Sequence, residues 1–315
     1  MKPTARFYNW CSGILILASI TLGVGRNSVF GVEPPVLLNA KTNGSVELDT
    51  TSGIYTYSYS FSNPITNTGQ IWSIRIDMLK PQAGADVGRD GIEHERGSAN
   101  IIESVVVEEL AKQGKSLLPV GLYSPSKWRS GPSVFGNVGW GAMNDPYFIK
   151  PGQTLSGFRM VSRGLPGIRN IIIYPRMPYE LWAREDDPPE EQTRKDDMIE
   201  EVAFKGQILG PTAPPAIFVA LDFVSYIIDL KHQAGALGWI TNPGVQDSLD
   251  VKLDQVKKKL QAGDTKTAAN VLKAFLNEVD AQGCPKYDGC QPGKHLLPEA
   301  WALLKFNAEY LLGKL

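Results

Sequence analysis

The hydrophobic period of this chain changes once, and that change bounds every fold the chain can adopt. Before Gly210-Pro-Thr-Ala-Pro-Pro215 the apolar residues tend to alternate; after it they return every third or fourth position. Alternation puts apolar side chains on one face of a strand, whereas the longer spacing puts them on one stripe of a helix. The expected fold is therefore multidomain α and β, an antiparallel β-sandwich followed by a small α-helical bundle. The predicted boundaries are residues 1–31 for a signal peptide, 32–210 for the β-sandwich-like domain, 211–216 for a proline-rich linker and 217–315 for the bundle. Such a linker predicts few contacts between the halves and a helical part that folds alone.

Strand grammar is clearest in Ile54-Tyr-Thr-Tyr-Ser-Tyr-Ser-Phe61, where Tyr55, Tyr57, Tyr59 and Phe61 point one way and the hydroxyl residues the other. Ile71-Trp-Ser-Ile-Arg-Ile-Asp-Met78 alternates too, and Asn63-Pro64 and Asn67-Thr-Gly69 stand between the two runs, which together read as a hairpin. Further strands are expected at 36–38, 101–110, 154–161, 168–174 and 202–209. The charged stretch 184–201 contains a double proline and reads as a solvated loop, and Gly136-Asn-Val-Gly139-Trp-Gly141 reads as a turn.

Past Pro215, a first helix is expected over 221–237, with Leu221, Val224, Ile228 and Leu230 as its buried stripe. Asn242-Pro-Gly opens a second, on which Val245, Leu249, Leu253, Val256 and Leu260 share a face. Gly263 ends it and Asp264 caps a third, carrying Ala268, Leu272, Phe275, Leu276 and Val279. Pro298 suits the first turn of a fourth, with Trp301, Leu304, Ala308 and Leu311. The runs Ser248-Leu-Asp-Val-Lys-Leu253, Leu260-Gln-Ala-Gly-Asp264, Ala269-Asn-Val-Leu-Lys-Ala-Phe-Leu-Asn-Glu-Val279 and Ala302-Leu-Leu-Lys-Phe-Asn-Ala-Glu-Tyr310 resemble the FIMAH-like domain of exported bacterial proteins. The resemblance covers about 221–315, departs from the family in a cysteine-bearing loop between the third and fourth helices, and implies an accessory module without catalytic residues. Lys150-Pro-Gly-Gln-Thr-Leu-Ser-Gly-Phe158 and Ser162-Arg-Gly-Leu-Pro-Gly167 are similar only to uncharacterised exported bacterial β domains.

Lys2 and Arg6 precede the apolar run Gly13-Ile-Leu-Ile-Leu-Ala-Ser-Ile-Thr-Leu-Gly-Val-Gly25, the layout of a secretion signal. The run is short against the roughly 20 apolar residues a bilayer span needs, so cleavage, after Gly25 or Gly31, is expected rather than a stable membrane span. An extracytoplasmic location, secreted or periplasmic, follows. Thirty-two basic against 33 acidic residues give a net charge of -1, without the basic excess that draws proteins onto nucleic acid. Cys284 and Cys290 remain after cleavage; in an oxidising compartment a close even pair reads as a disulfide rather than a metal site, and no cofactor is expected.

No G-x-S-x-G elbow, paired-histidine zinc motif or phosphate-binding loop occurs; Gly91-Ile-Glu-His94-Glu95 has a single histidine. Glu103 and Glu109 would share a strand face but stand about six rises of ~3.3 Å apart, too far for a glycosidase pair. Trp128, Trp140 and Trp182 lie in Gly/Pro-rich context, where their rings either stack on a sugar or roof the core; core packing is the preferred reading, and all three are kept as candidate ligand-binding residues. The expected function is an exported non-enzymatic binding or surface-interaction protein, its partner an extracellular glycan or a cell-envelope protein. The alternatives are a hydrolase acting on an extracellular polysaccharide and a structural envelope protein.

Overall fold

The computed structural model describes residues 35–37, 39–78, 121–132, 137–184 and 186–315. The expected signal peptide, the strand at 101–110, and His94, Glu103 and Glu109 lie outside them. Strands β1 (Lys41–Asp49) and β2 (Ile54–Ser62) are joined by a turn that Asp49 organises, its carboxylate accepting from the Thr51 N–H at 2.9 Å and the Ser52 hydroxyl at 2.7 Å. Tyr55, Tyr57, Tyr59 and Phe61 of β2 are all buried, so the aromatic face read from alternation is the core face.

The remaining strands are β3 (Ile71–Asp77), β4 (Gly121–Tyr123), β5 (Trp128–Pro132), β6 (Asn137–Ala142), β7 (Thr154–Ser162), β8 (Leu165–Pro175) and β9 (Phe204–Thr212). They form two antiparallel sheets, in the orders β1-β2-β7-β4 and β5-β6-β3-β8-β9. The hairpin expected of β2 and β3 is thus corrected: β2 pairs with β1 and β7, and β3 with β6 and β8. The connection between them is long enough to pass from one sheet to the other, and buried asparagines satisfy its backbone. Asn63 Nδ2 donates to the carbonyls of Gly69 at 2.9 Å and Ile149 at 2.8 Å, and Asn67 Nδ2 donates to Asn63 Oδ1 at 2.8 Å. Two apolar faces then cover each other across the sandwich instead of lying side by side.

The glycine-rich segment expected as a turn is instead strand β6. A Cβ at Gly139 would stand 2.0 Å from the Ile74 carbonyl oxygen, so glycine is what lets β6 close on β3. Residues 36 and 37 form no strand; the Leu37 N–H donates to the Val202 carbonyl at 3.1 Å. The charged stretch expected as a loop forms helix α1 (Pro189–Val202), with proline in its first turn. Lys195 is only 3% exposed there, its Nζ 2.7 Å from Asp187 Oδ2 and 3.1 Å from Glu191 Oε1, one helical turn earlier. Pairing within the segment makes a helix out of a composition that reads as solvated.

Four helices follow: α2 (Ala220–Ala236), α3 (Pro243–Gln261), α4 (Thr265–Gln282) and α5 (Pro298–Leu312). Asn242 caps α3 by accepting from Gly244 N at 2.8 Å, Gly263 takes φ 72° at the turn, and Asp264 caps α4 by accepting from Thr267 N at 3.1 Å. The stripes of α3 and α4 are buried as expected, save that Leu260 is half-buried. On α2 the stripe is turned: Phe223, Val224, Ile227 and Leu230 are buried while Leu221 and Ile228 are half-buried. The fold is a β-sandwich followed by a helical bundle.

Helix α5 joins the two layers, and the expectation of few contacts across 211–216 is corrected. Pro211 and Thr212 are the last residues of β9, and Pro34–Leu315 form one compact unit. α5 packs against α2 and α4 and also against β1 and β8. Phe306 meets Tyr55 edge-on with ring centres 5.3 Å apart, Asn307 Nδ2 donates to the Pro166 carbonyl at 2.8 Å, and Glu299 accepts from the Gly44 N–H at 2.6 Å. A helix buried on both sides carries no simple polar face, so its periodicity says little about its second partner.

Cys284 and Cys290 lie at disulfide distance, with Cα atoms 5.4 Å apart. The loop they close leans on the sheet, Lys286 pairing with Glu47 and the Tyr287 hydroxyl donating to Glu299 at 2.7 Å. Loop-closure entropy assigns a link of this length about 2 kcal/mol. The double Cys284→Ser, Cys290→Ser variant is expected to lose about that much in urea unfolding while keeping its helical circular dichroism, because the bundle stripes lie elsewhere. Loss of the helical signal at zero urea would contradict this.

Candidate functional site

Of the three tryptophans kept as candidate ligand residues, Trp128 and Trp140 lie together in the core, as the preferred reading expects, and Trp182 packs against Trp72. Trp128 is 5% exposed and Trp140 2%. Both rings pack edge-on against Phe158, with centres 5.0 and 5.5 Å away, and their indole N–H groups donate to the carbonyls of Tyr147 at 3.2 Å and Tyr123 at 3.0 Å. With faces covered and donors satisfied, neither offers a surface to a ligand. Alternation on β6 and the core between the sheets account for their burial. Trp182 is half-buried, edge-on to Trp72 at 5.0 Å, with its N–H donating to the Met177 carbonyl at 3.1 Å. The structure does not bring the three rings together into one site.

A cleft of about 240 Å³ opens where β9 leaves the sheet for α2. Leu165 and Thr212 come from the sheet, Pro214, Ile217 and Val219 from the connecting segment, Phe223 and Tyr226 from α2, and Asn307 from α5. The lining is largely apolar, and Ile217 and Val219 are 82% and 45% exposed at its rim. Strand β9 ends at Thr212, Pro214 and Pro215 fix the backbone φ after it, and the chain bends at Ala216 and Ile217 before α2 starts at Ala220. Ile217 therefore stands outside any element that could cover it.

Polar groups in the cleft are few. Asp222 is its single carboxylate and is exposed. Burial raises the Tyr226 phenol above its ordinary range, opposed by a hydrogen bond with Thr212. Asn307 is fully buried, and its Nδ2 is committed to the carbonyls of Pro166 at 2.8 Å and Leu303 at 2.7 Å. Those two bonds orient the amide, and its Oδ1 has no hydrogen-bond partner. Among the described residues no three His, Cys, Asp or Glu side chains cluster as metal ligands, and no helix is long and apolar enough to cross a membrane.

Sequence reasoning missed this cleft because it treated 211–216 as a spacer. The signal available was Ala216-Ile-Phe-Val219, an apolar run directly after a double proline and ahead of the helix. Residues 225–313 match the FIMAH domain family, over α2 to α5, so the C-terminal helices form a FIMAH-like module. The match begins inside α2, leaving the connecting segment and the sandwich outside it. No curated protein matches the chain.

Proposed function

We propose that this is an exported, non-enzymatic binding protein that captures an apolar segment of a cell-envelope protein in the cleft between the sandwich and the helical module. The observation that carries the reading is the exposed apolar rim of Ile217 and Val219 over an apolar pocket. Adjoining exposed apolar side chains over an apolar pocket form a patch of the kind that marks interaction sites, which scattered single residues do not. A sugar presents hydroxyl groups that this lining has few polar atoms to meet, which favours a polypeptide over a glycan. Hydrolysis of a glycosidic bond needs two carboxyl groups about 5 to 10 Å apart, and the cleft holds one. Export rests on the charged and apolar layout of the first 25 residues and is checked by the N-terminal sequence of the secreted chain.

The test is retention of the purified protein on an array of apolar peptides and, separately, on polysaccharide and cell-wall fractions. Wild-type protein is expected to bind a subset of the peptides, and Ile217→Arg, which charges the rim at an exposed position, is expected to lose that binding with its unfolding curve unchanged. Retention on polysaccharide with release of reducing ends would replace the binding reading with hydrolysis.

A further inference from the structure

We infer that the segment captured by the cleft carries a lysine or arginine beside its apolar anchor, and that Asp222 of α2 receives that cation. The inference rests on the binding reading above and deepens it, from an apolar partner to one that is both apolar and basic. The pocket sets the anchor. An apolar cavity of about 150 Å³ accommodates benzene, so a cleft of about 240 Å³ has room for a phenylalanine or leucine side chain. Its walls include Leu165, Pro214, Ile217 and Phe223, branched or flat apolar groups that can pack around such a side chain.

The charge comes from the helix that forms one wall. Asp222 lines the cleft, is exposed, and makes no ion pair or side-chain hydrogen bond among the described residues. Its place in the first turn of α2 suits the helix dipole, which accounts for a carboxylate there and still leaves it without a counter-ion. Asp222, the cleft residue Tyr226 and Asp229 recur at i, i+4 and i+7, so they share one stripe of α2, and Asp229 is likewise exposed without a cation among the described residues. No lysine or arginine lines the cleft. Arg169 donates from Nε to the Pro211 carbonyl at 2.8 Å, and Lys314 lies over the Tyr310 ring, 5.6 Å from its centre. Apolar surface with negative charge beside it favours a segment that combines an apolar side chain with a cation and repels an acidic one.

A polypeptide also has a main chain to place. Among the described residues, 213–218 make no backbone hydrogen bonds, so the N–H and carbonyl of Ile217 at the rim are open to the backbone of a bound segment. The anchor, the cation and the main chain each have a counterpart within the same cleft.

The experiment titrates the purified protein at low salt with three blocked peptides, followed by ligand-observed nuclear magnetic resonance. They are acetyl-Gly-Phe-Lys-Gly-amide, the same peptide with acetyl-lysine, which keeps the stem and removes the charge, and the same peptide with glutamate in place of lysine. The lysine peptide is expected to bind about threefold more tightly than the acetyl-lysine peptide, within the range an exposed ion pair supplies, and the glutamate peptide more weakly than either. Asp222→Asn is expected to remove the lysine preference while leaving the affinity for the acetyl-lysine peptide unchanged. Ile217→Arg, at an exposed rim position, is expected to abolish binding of all three. Equal affinities for the three peptides would overturn the cation assignment while leaving an apolar cleft. A lysine preference that persists in Asp222→Asn would place the cation elsewhere and overturn it as well, as would binding of uncharged apolar peptides without binding of the lysine peptide. If no peptide of either kind binds, the proposed function itself falls and this inference with it.

Discussion

Trp140→Ala is expected to cost about 3 to 5 kcal/mol of folding stability, a large share of the roughly 5 to 15 kcal/mol that holds a typical domain together. The ring sits between the sheets with Tyr59, Phe61 and Phe158 around it at centre distances of 5.8, 6.4 and 5.5 Å. Truncation removes its buried area, opens a cavity that strands on both sides limit from collapsing, and leaves the Tyr123 carbonyl without the indole donor. Urea unfolding of wild type and variant gives the difference directly. A change under about 1 kcal/mol would mean that the ring is peripheral and would reopen its role as a ligand platform. Trp182→Ala, at a half-buried position, is the matched comparison and is expected to cost less.

Glu299→Ala is expected to cost roughly 2 to 4 kcal/mol, through a different route. Strand β1 is the edge of its sheet, and the Gly44 N–H points outward with no strand to pair with. Glu299, only 1% exposed at the start of α5, accepts hydrogen bonds from that N–H and from the Tyr287 hydroxyl. Removing the carboxyl group leaves the buried Gly44 amide unsatisfied and unties the disulfide loop from the helix. Burial raises the Glu299 carboxyl above its usual 4.5, with the hydrogen bonds from Tyr287 and Gly44 opposing the rise. The folded state then holds this proton more tightly than the unfolded chain. The resulting stabilisation is fully present below pH 4.5 and is lost as pH rises through the folded value. Glu299→Gln keeps a neutral acceptor, so the stability difference, wild type minus Gln, is expected to fall as pH increases from 4.5. A difference that is flat in pH would show that the group titrates normally.

The same residues show how far the sequence alone reaches. The aromatic face of β2, the caps Asn242 and Asp264, the stripes of α3 and α4 and the cysteine pair are written in spacings of two to seven residues, within the reach of local backbone geometry. The break at Gly210-Pro-Thr-Ala-Pro-Pro215 marks where strand gives way to helix, within a few residues of the end of β9 at Thr212. Periodicity states which face of an element is apolar and leaves open which other face will cover it. That is why β2 and β3, each correctly read as a strand, were paired with each other and not placed in opposing sheets. Glycine-rich β6 looked like a turn because the carbonyl of Ile74 that makes Gly139 necessary belongs to a strand more than sixty residues earlier.

Only the tertiary structure decided the burial of Trp128 and Trp140, the docking of α5 on the sheet and the existence of the cleft. Each depends on contacts between residues far apart in the chain, such as Glu299 with Gly44 and Asn307 with Pro166, and no local pattern encodes a partner at that distance. A glutamate and an asparagine among the apolar residues of α5 were visible as residues. Their meaning, one satisfying a sheet edge and the other bonding α5 to the Pro166 carbonyl of β8, appeared only when the sheet was laid against the helix, because hydrogen-bond satisfaction is a property of the assembled interface.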